Sequence, residues 1–558
     1  MRIIPLPERQ EGGPSVAGNQ DLSGNEPRVA IPFCMRTLTT LLVLAAAPSG
    51  APLSCQAAAQ DQSDPPRLVV FIAVDQLRPD YFTRYADQLT GGLKRFYDQG
   101  AFYTRGEQDH ALTETAPGHA TMLTGRSPAS VGVVSNALGV PDPQSPIVAL
   151  DGPGASPRRF RGTTLYDWMK KADGGVRVLS VSRKDRGAIL PIGRAKVPVY
   201  WYISGFFTTS TWYADAIPDW LRRWNRRGGA YQLAGMSWDL FLPEDQYDEP
   251  DDQPWEYGGR ATTFPHQFSK DSLRVVNEIM ASPWTDSLTL DVALEGVNAL
   301  RIGRRNRPDL LSISLSSADA VGHGWGPDSR EIHDQILRLD HWLGWFMDSL
   351  ATVVPSERTL YVLTSDHGVQ SFPEQRASVG RMGGRVVLSG IMLGVNDLLE
   401  TQYRQSFGLS FDNGLLYGDV TALRKAGVDV DSLTSSLASL VANQTGVTGV
   451  FTPRTLAAAA EDNRSAGLWR RSIPSDFEWL VAANLAPGYI WSYSRFTTTH
   501  GTTNAADVLV PIAFLGKGIV AGRYARARTV DIAPTIAALL HIKPLEAVEG
   551  EVLKEVVP

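Results

Sequence analysis

Residues 67–75 read RLVVFIAVD. The run from Leu68 to Val74 is apolar at every position, shorter than a helix needs, and ends on Asp75. An uninterrupted apolar run of that length is the pattern of a strand buried on both faces, as in a parallel sheet. Three more stretches, mostly apolar, read as strands. VRVLSVS (Val176–Ser182) is followed at once by RKDRG, DLLSISLSSAD runs from Asp309 to Asp319, and TLYVLTSDHG ends on the pair Asp366-His367. Between and after them lie helical patterns, with Ile336, Leu339, Leu343, Phe346 and Leu350 on one stripe and DIAPTIAALL as a closing helix. Strands alternating with helices predict an α/β fold with a central, mostly parallel sheet flanked by helices. Ligands in such sheets collect outside the carboxyl ends of the strands, which directs attention to the residues just past each run.

The chain has 558 residues, 43% hydrophobic and 20% charged, enough to bury a large core. Its net charge of −6 offers no global basic field, so nucleic acid is not an expected partner. Two segments break the pattern and read as insertions into one catalytic domain spanning 60–558. The first, about 197–300, is dense in aromatics (WYISGFFTTSTWYADAIPDWLRRW) and then acidic (PEDQYDEPDDQPWEYGG), and reads as a cap beside the site. The second, about 371–487, is rich in Gly and Ala and carries no assignable chemistry. Residues 1–59 read as an N-terminal extension and signal peptide. Arg36, the apolar run Leu41–Ala47 and Ala57-Ala58-Ala59 are the parts of a cleaved secretory signal, with Met35 the expected true start. Both cysteines, Cys34 and Cys55, fall in that segment, so the mature chain is expected to hold no disulfide and no catalytic thiol. No later run is long enough for a stable membrane span. Periplasmic or secreted localisation follows; the oligomeric state is left open.

HALTETAPGHATMLTG, His110–Gly125, places Thr115 as a helix N-cap with Pro117 in the first turn. A helix start suits a phosphate or an alkoxide, although a plain structural cap reads the same. The residues past the strands decide between them. Asp75, Asp319, His323 four residues on, Asp366, His367 and the late His500 bring three carboxylates and three imidazoles to one edge, which demands cations. Mixed oxygen and nitrogen donors suit zinc with open positions before manganese or iron, and two such ions about 4 Å apart clamp an in-line displacement. Lys184 and Arg186, in the RKDRG turn, emerge on the same edge; a solvated basic turn is the plain alternative. His110, His119, His266, His333, His341 and His541 read as ordinary polar or packing residues.

The ordered set Asp75, Thr115 in TAPGH, Asn136, D-x-x-x-H at Asp319–His323, DHG at Asp366–Gly368 and THG at His500 resembles the alkaline phosphatase superfamily. It is most similar to the threonine-nucleophile branch that holds the PafA-type alkaline phosphatases and the nucleotide pyrophosphatase/phosphodiesterases. The resemblance spans Val69 to about Ile542. It implies an alkaline phosphatase-like fold and a Zn²⁺-dependent hydrolase with two zinc ions per chain. One ion would sit on Asp319, His323 and His500, and the other on Asp75, Asp366 and His367, with Thr115 joining as the nucleophile. The turn at Lys184 and Arg186, with Asn136, resembles the element that monoesterases of the branch use to hold phosphoryl oxygens. The expected substrates are therefore small-molecule phosphate monoesters, hydrolysed through a phosphothreonine. A nucleotide phosphodiesterase or pyrophosphatase of the same superfamily, or an inactive phosphate-binding relative, are the alternatives. The small residues after Asn136, in SNALGV, depart from the expected pattern and leave fine substrate contacts open.

Overall fold

The Leu68–Val74 strand is fully buried and lies in the middle of a nine-stranded sheet. Leu68, Val70, Ile72 and Val74 pack into one hydrophobic core, while Val69, Phe71 and Ala73 pack into a second core on the opposite face. Both faces are covered, which is why the run shows no alternation. The structure, a computed structural model, describes residues 65–557. The expected signal segment, start at Met35, cleavage after Ala59 and both cysteines lie outside the described residues.

Across the sheet the strands run Gly522–Arg528, Ala101–Glu107, Leu509–Gly516, Thr359–Thr364, Leu68–Val74, Asp309–Leu315, Val178–Ser182, Val199–Ile203 and Phe206–Thr208. Thr359–Thr364 through Val199–Ile203 form an unbroken parallel block. Leu509–Gly516 and Phe206–Thr208 join it antiparallel, so the sheet is mixed. Register sets the site. Val74 pairs with Leu315, Ala73 pairs with both Ser314 and Thr364, and Ser182 pairs with Ser314. Asp75, Asp366 and Lys184 therefore leave the sheet within a residue or two of one level.

Helices Gly92–Gln99, Trp284–Leu300 and Arg330–Ala351 cover one face; Thr115–Met122, Leu165–Ala172 and Ile532–Leu539 cover the other. Ile336, Leu339, Leu343, Phe346 and Leu350 are all fully buried, as their spacing predicts. Each such side chain contributes about 1.5–3 kcal/mol of hydrophobic stabilisation. Among the described residues no helix is long and apolar enough to cross a membrane.

The segment expected as a cap from about residue 197 begins instead as sheet, with Val199–Ile203 and Phe206–Thr208 as its outermost strands. Its remainder packs on the long helix Arg330–Ala351. There Asp334 accepts from Trp238 Nε1, Phe241 N and Tyr247 Oη at 2.6–2.9 Å. The second segment holds a four-stranded antiparallel sheet with its own core, in the order Ser410–Asp412, Leu415–Tyr417, Trp479–Leu485 and Val447–Phe451.

Candidate active site

The helix Thr115–Met122 is buried throughout, and its start corrects one expectation. Thr115 is the first helical residue; Glu114, with extended φ −118° and ψ 164°, occupies the cap position and its side chain caps nothing. The free N–H of Ala116 is satisfied from elsewhere, by Asn136 Oδ1 at 2.9 Å. Thr115 Oγ1 is thus spared capping duty and receives a 3.3 Å contact from Lys184 Nζ. Gly118 lets the helix lie against the Asp366 loop: a Cβ there would fall 2.4 Å from the Asp366 carbonyl oxygen.

Lys184 is the hub. It is buried, and its ammonium lies 2.8 Å from Asp75 Oδ2 and 2.7 Å from Asp319 Oδ2. Gln76 joins the remaining carboxylate to the group, donating its main-chain N–H to Asp366 Oδ1 (3.1 Å) and its Nε2 to Asp319 Oδ1 (3.0 Å). Burial pushes every carboxyl here upward, and neighbouring charge decides the outcome. For Asp75, Lys184 and His119 outweigh burial and hold the group below its usual range. For Asp319, Lys184 and His323 outweigh it by more. For Asp366, burial and the charge on Asp75 outweigh His119 and Lys184 and push it up to about 7.

The helix Ser317–Trp325 carries Asp319 and His323 on one face, with His323 Nε2 3.3 Å from Asp319 Oδ1. His367 Nε2 lies 3.3 Å from Asp366 Oδ2, and His500 Nε2 3.8 Å from Asp319 Oδ1. Each ring donates its Nδ1–H to a backbone carbonyl: His323 to Thr498 (2.7 Å), His367 to Gly368 (2.9 Å) and His500 to Thr113 (2.7 Å). That fixes the tautomer and turns every Nε2 lone pair inward, the arrangement metal-ligating histidines adopt. Burial pushes His367 down to about 4; burial, with His367 and His323 alongside, holds His500 well below its usual range. Asp319 reverses the effect of burial on His323.

The structure therefore gathers Asp75, Thr115, Lys184, Asp319, His323, Asp366, His367 and His500 in one contact network. Asn136 reaches it through Ala116. Arg186, in the first turn of Asp185–Ile189, stands at the margin, and its nearest acidic partner is Asp185 at 3.6 Å. The donor set fits divalent metal. Asp319, His323 and His500 have ligand atoms mutually within 4.8 Å. Asp366 Oδ2 and His367 Nε2 are buried without a hydrogen-bond partner, as atoms that face a cation are.

His119, read from sequence as a packing residue, belongs to the site as well. It groups with Asp75 and Asp366, lying 3.5 Å from each. Both its nitrogens are already engaged, Nδ1 on the Thr115 carbonyl (2.9 Å) and Nε2 on Ser314 Oγ (3.0 Å). The available signal was T-x-x-x-H, the i,i+4 spacing that stacks His119 one turn behind Thr115. Gln76 and Glu114 were missed as well; Glu114 is fully buried and bonded to Asn136 N at 2.7 Å, and burial pushes it up to about 8.

Comparison with known proteins agrees with this geometry. Residues 69–382 match the family model for type I phosphodiesterase / nucleotide pyrophosphatase. The chain is 30% identical to alkaline phosphatase PafA of Elizabethkingia meningoseptica, covering 88% of this chain and 94% of that one. It is 29% identical to alkaline phosphatase PhoV of Synechococcus elongatus, covering 88% and 92%. The crystal structure of wild-type PafA superposes with a TM-score of 0.83 at 27% identity, over 88% of this chain and 99% of that one. The chain belongs to the type I phosphodiesterase / nucleotide pyrophosphatase family, within the alkaline phosphatase superfamily.

Proposed function

We propose that this protein is an exported, zinc-dependent phosphate-monoester hydrolase acting through a phosphothreonine on Thr115. The observation that carries the reading is the position of Lys184, whose buried ammonium touches Thr115 Oγ1, Asp75 and Asp319 together. A cation is thereby held where a phosphoryl group under attack by Thr115 would concentrate charge. A monoester dianion gains most from it, because a diester has one of those oxygens esterified. The relatives named alkaline phosphatase support the same choice. The family model, named for phosphodiesterases, supports the second reading, a nucleotide phosphodiesterase.

One zinc would be held by Asp319, His323 and His500, and the other by Asp75, Asp366 and His367. His367 is preferred to His119 because its Nε2 is unpartnered, whereas both nitrogens of His119 are taken. Divalent metals so held supply Lewis acidity, lowering the pKa of a hydroxyl or water and neutralising charge on the reacting oxygens. Thr115 Oγ1 forms the bond to phosphorus as the bond to the leaving alcohol breaks, and the alcohol departs with the proton. Water then cleaves the phosphothreonine, releasing inorganic phosphate and restoring the hydroxyl. Lys184 and the Asn136 amide NH₂ donate to the non-bridging oxygens, with the start of the Thr115 helix adding positive potential. Export is part of the reading, and a mature chain beginning at Gln60 is its mark.

The test is hydrolysis of monoester and diester panels by wild type and by Lys184→Ala/Arg186→Ala. Loss of the Lys184 contact, and of the Arg186 guanidinium that would swing in from the margin onto a second phosphoryl oxygen, is expected to lower monoester kcat/KM by about 10²- to 10⁴-fold and the diester value far less. Chelation should abolish activity and zinc restore it. Equal losses on the two substrates would reject the monoesterase reading.

A further inference from the structure

The second inserted segment reaches the reacting residues through the tip of one hairpin. Strands Ser410–Asp412 and Leu415–Tyr417 pair with Asp412 opposite Leu415, leaving Asn413-Gly414 as a two-residue turn. Both turn residues have positive φ, 43° and 93°, as the Asn-Gly hairpin turn requires. Hairpin tips of this kind ordinarily face water, yet Asn413 is only 6% exposed. The turn is seated against the loop that carries His500: a Cβ on Gly501 would lie 2.7 Å from Asn413 Cγ.

From that seat Asn413 Nδ2 donates to Glu114 Oε1 at 2.5 Å, across 299 residues of sequence. The other oxygen, Glu114 Oε2, accepts the main-chain N–H of Asn136 at 2.7 Å. Asn136 Oδ1 in turn accepts from Ala116 N. A continuous relay thus runs from the hairpin tip through Glu114 to Asn136 and back to the helix start beside Thr115. The hairpin does not need the amide for its own turn, since glycine adopts the same backbone without strain. Glu114, by contrast, has no other donor on Oε1 among the described residues.

We propose that Asn413 is a positioning residue, which through Glu114 fixes Asn136 and the start of the Thr115 helix for phosphoryl transfer. The inserted segment then contributes to the chemistry without touching substrate. The catalytic part of this inference rests on the function proposed above; the relay itself does not.

Asn413→Gly removes the amide and keeps the turn, so it is the variant of choice, with Glu114→Leu, which can neither accept nor donate, as a second cut of the same relay. Hydrogen exchange of the Ala116 and Asn136 amides is measured first, because it reads the relay whatever the substrate. Both variants should exchange faster at these two amides with the sheet unchanged, and unchanged exchange would overturn the inference. Activity is then measured as a cycle with Asn136→Ala. Asn413→Gly is expected to lower monoester kcat/KM about 10- to 100-fold in wild type and less than about threefold in the Asn136→Ala background, since coupled residues are non-additive. Equal losses in both backgrounds would make the turn merely structural and reject the positioning role. Faster exchange in an otherwise folded protein that hydrolyses no monoester would reject the functional reading and the catalytic role together, leaving only the relay.

Discussion

Thr115 Oγ1 is buried, and its one hydrogen-bond contact among the described residues is with Lys184. A buried hydroxyl whose helix start is already satisfied by Asn136 has no structural duty left, which makes Thr115→Ala a clean deletion. Lys184 keeps both carboxylates in the variant, so folding and metal content should hold. Monoester turnover should fall on the order of 10³-fold or more. A near-normal kcat in folded, metal-loaded Thr115→Ala would dispose of the nucleophile assignment. The residues that gather here were readable one by one because each follows a strand end or sits in a short polar motif next to one. His119 was not, since a histidine inside a helix reads as packing until its helix is placed between Asp75 and Asp366. Glu114 and Asn413 were out of reach for a stronger reason: a pairing across 299 residues leaves no spacing to read.

Elements, more than side chains, set how closely these groups meet. Three adjacent parallel strands in level register present Asp75, Asp366 and the Asp319 helix together; the strands were legible in sequence as apolar runs, and their register is given by the structure. The helix Thr115–Met122 must then pack onto the Asp366 loop, and Gly118 is where they touch. In Gly118→Ala the new Cβ would lie 2.4 Å from Asp366 O and 2.8 Å from Asp366 Cβ, so helix and loop must separate. A shift of about 1 Å is enough to cost roughly 10²-fold in rate, and overpacking costs about 1–3 kcal/mol in stability. Kinetics and thermal unfolding of Gly118→Ala test this, and a variant equal to wild type in both would mean the contact is slack. The strands Val199–Ile203 and Phe206–Thr208 escaped the sequence reading for a physical reason. Tyr200, Tyr202 and Phe207 pack into one core and Trp201 into the other, so the stretch is bulky on both faces and shows neither strand alternation nor a helical stripe.

At the scale of the whole molecule, folding buries a second charged cluster that the chemistry does not use. Glu256, Glu331 and His266 lie where the first segment packs on the helix Arg330–Ala351, with His266 Nε2 3.0 Å from Glu331 Oε1. Burial, reinforced by Glu331, pushes Glu256 up to about 9, and burial pushes His266 down to about 4. The two groups penalise opposite ends of the pH scale. Between about 4.5 and about 9 the folded chain holds a proton on Glu256 that the unfolded chain releases, so stability falls as pH rises through that window. Between about 6.5 and about 4 the unfolded chain protonates His266 while the folded chain resists, so stability falls as pH drops. Above about pH 9 the first penalty is carried in full. Glu256→Gln keeps the shape and removes the titration, so its unfolding temperature should exceed that of wild type by a few degrees at pH 8.5. The advantage should shrink steadily toward pH 5, half a unit above the ordinary value of 4.5 below which folded and unfolded chains both hold the proton. A Glu256→Gln advantage that stayed constant from pH 5 to pH 8.5 would come from packing or hydrogen bonding, and the proton-linked cost assigned to this cluster would have to be withdrawn.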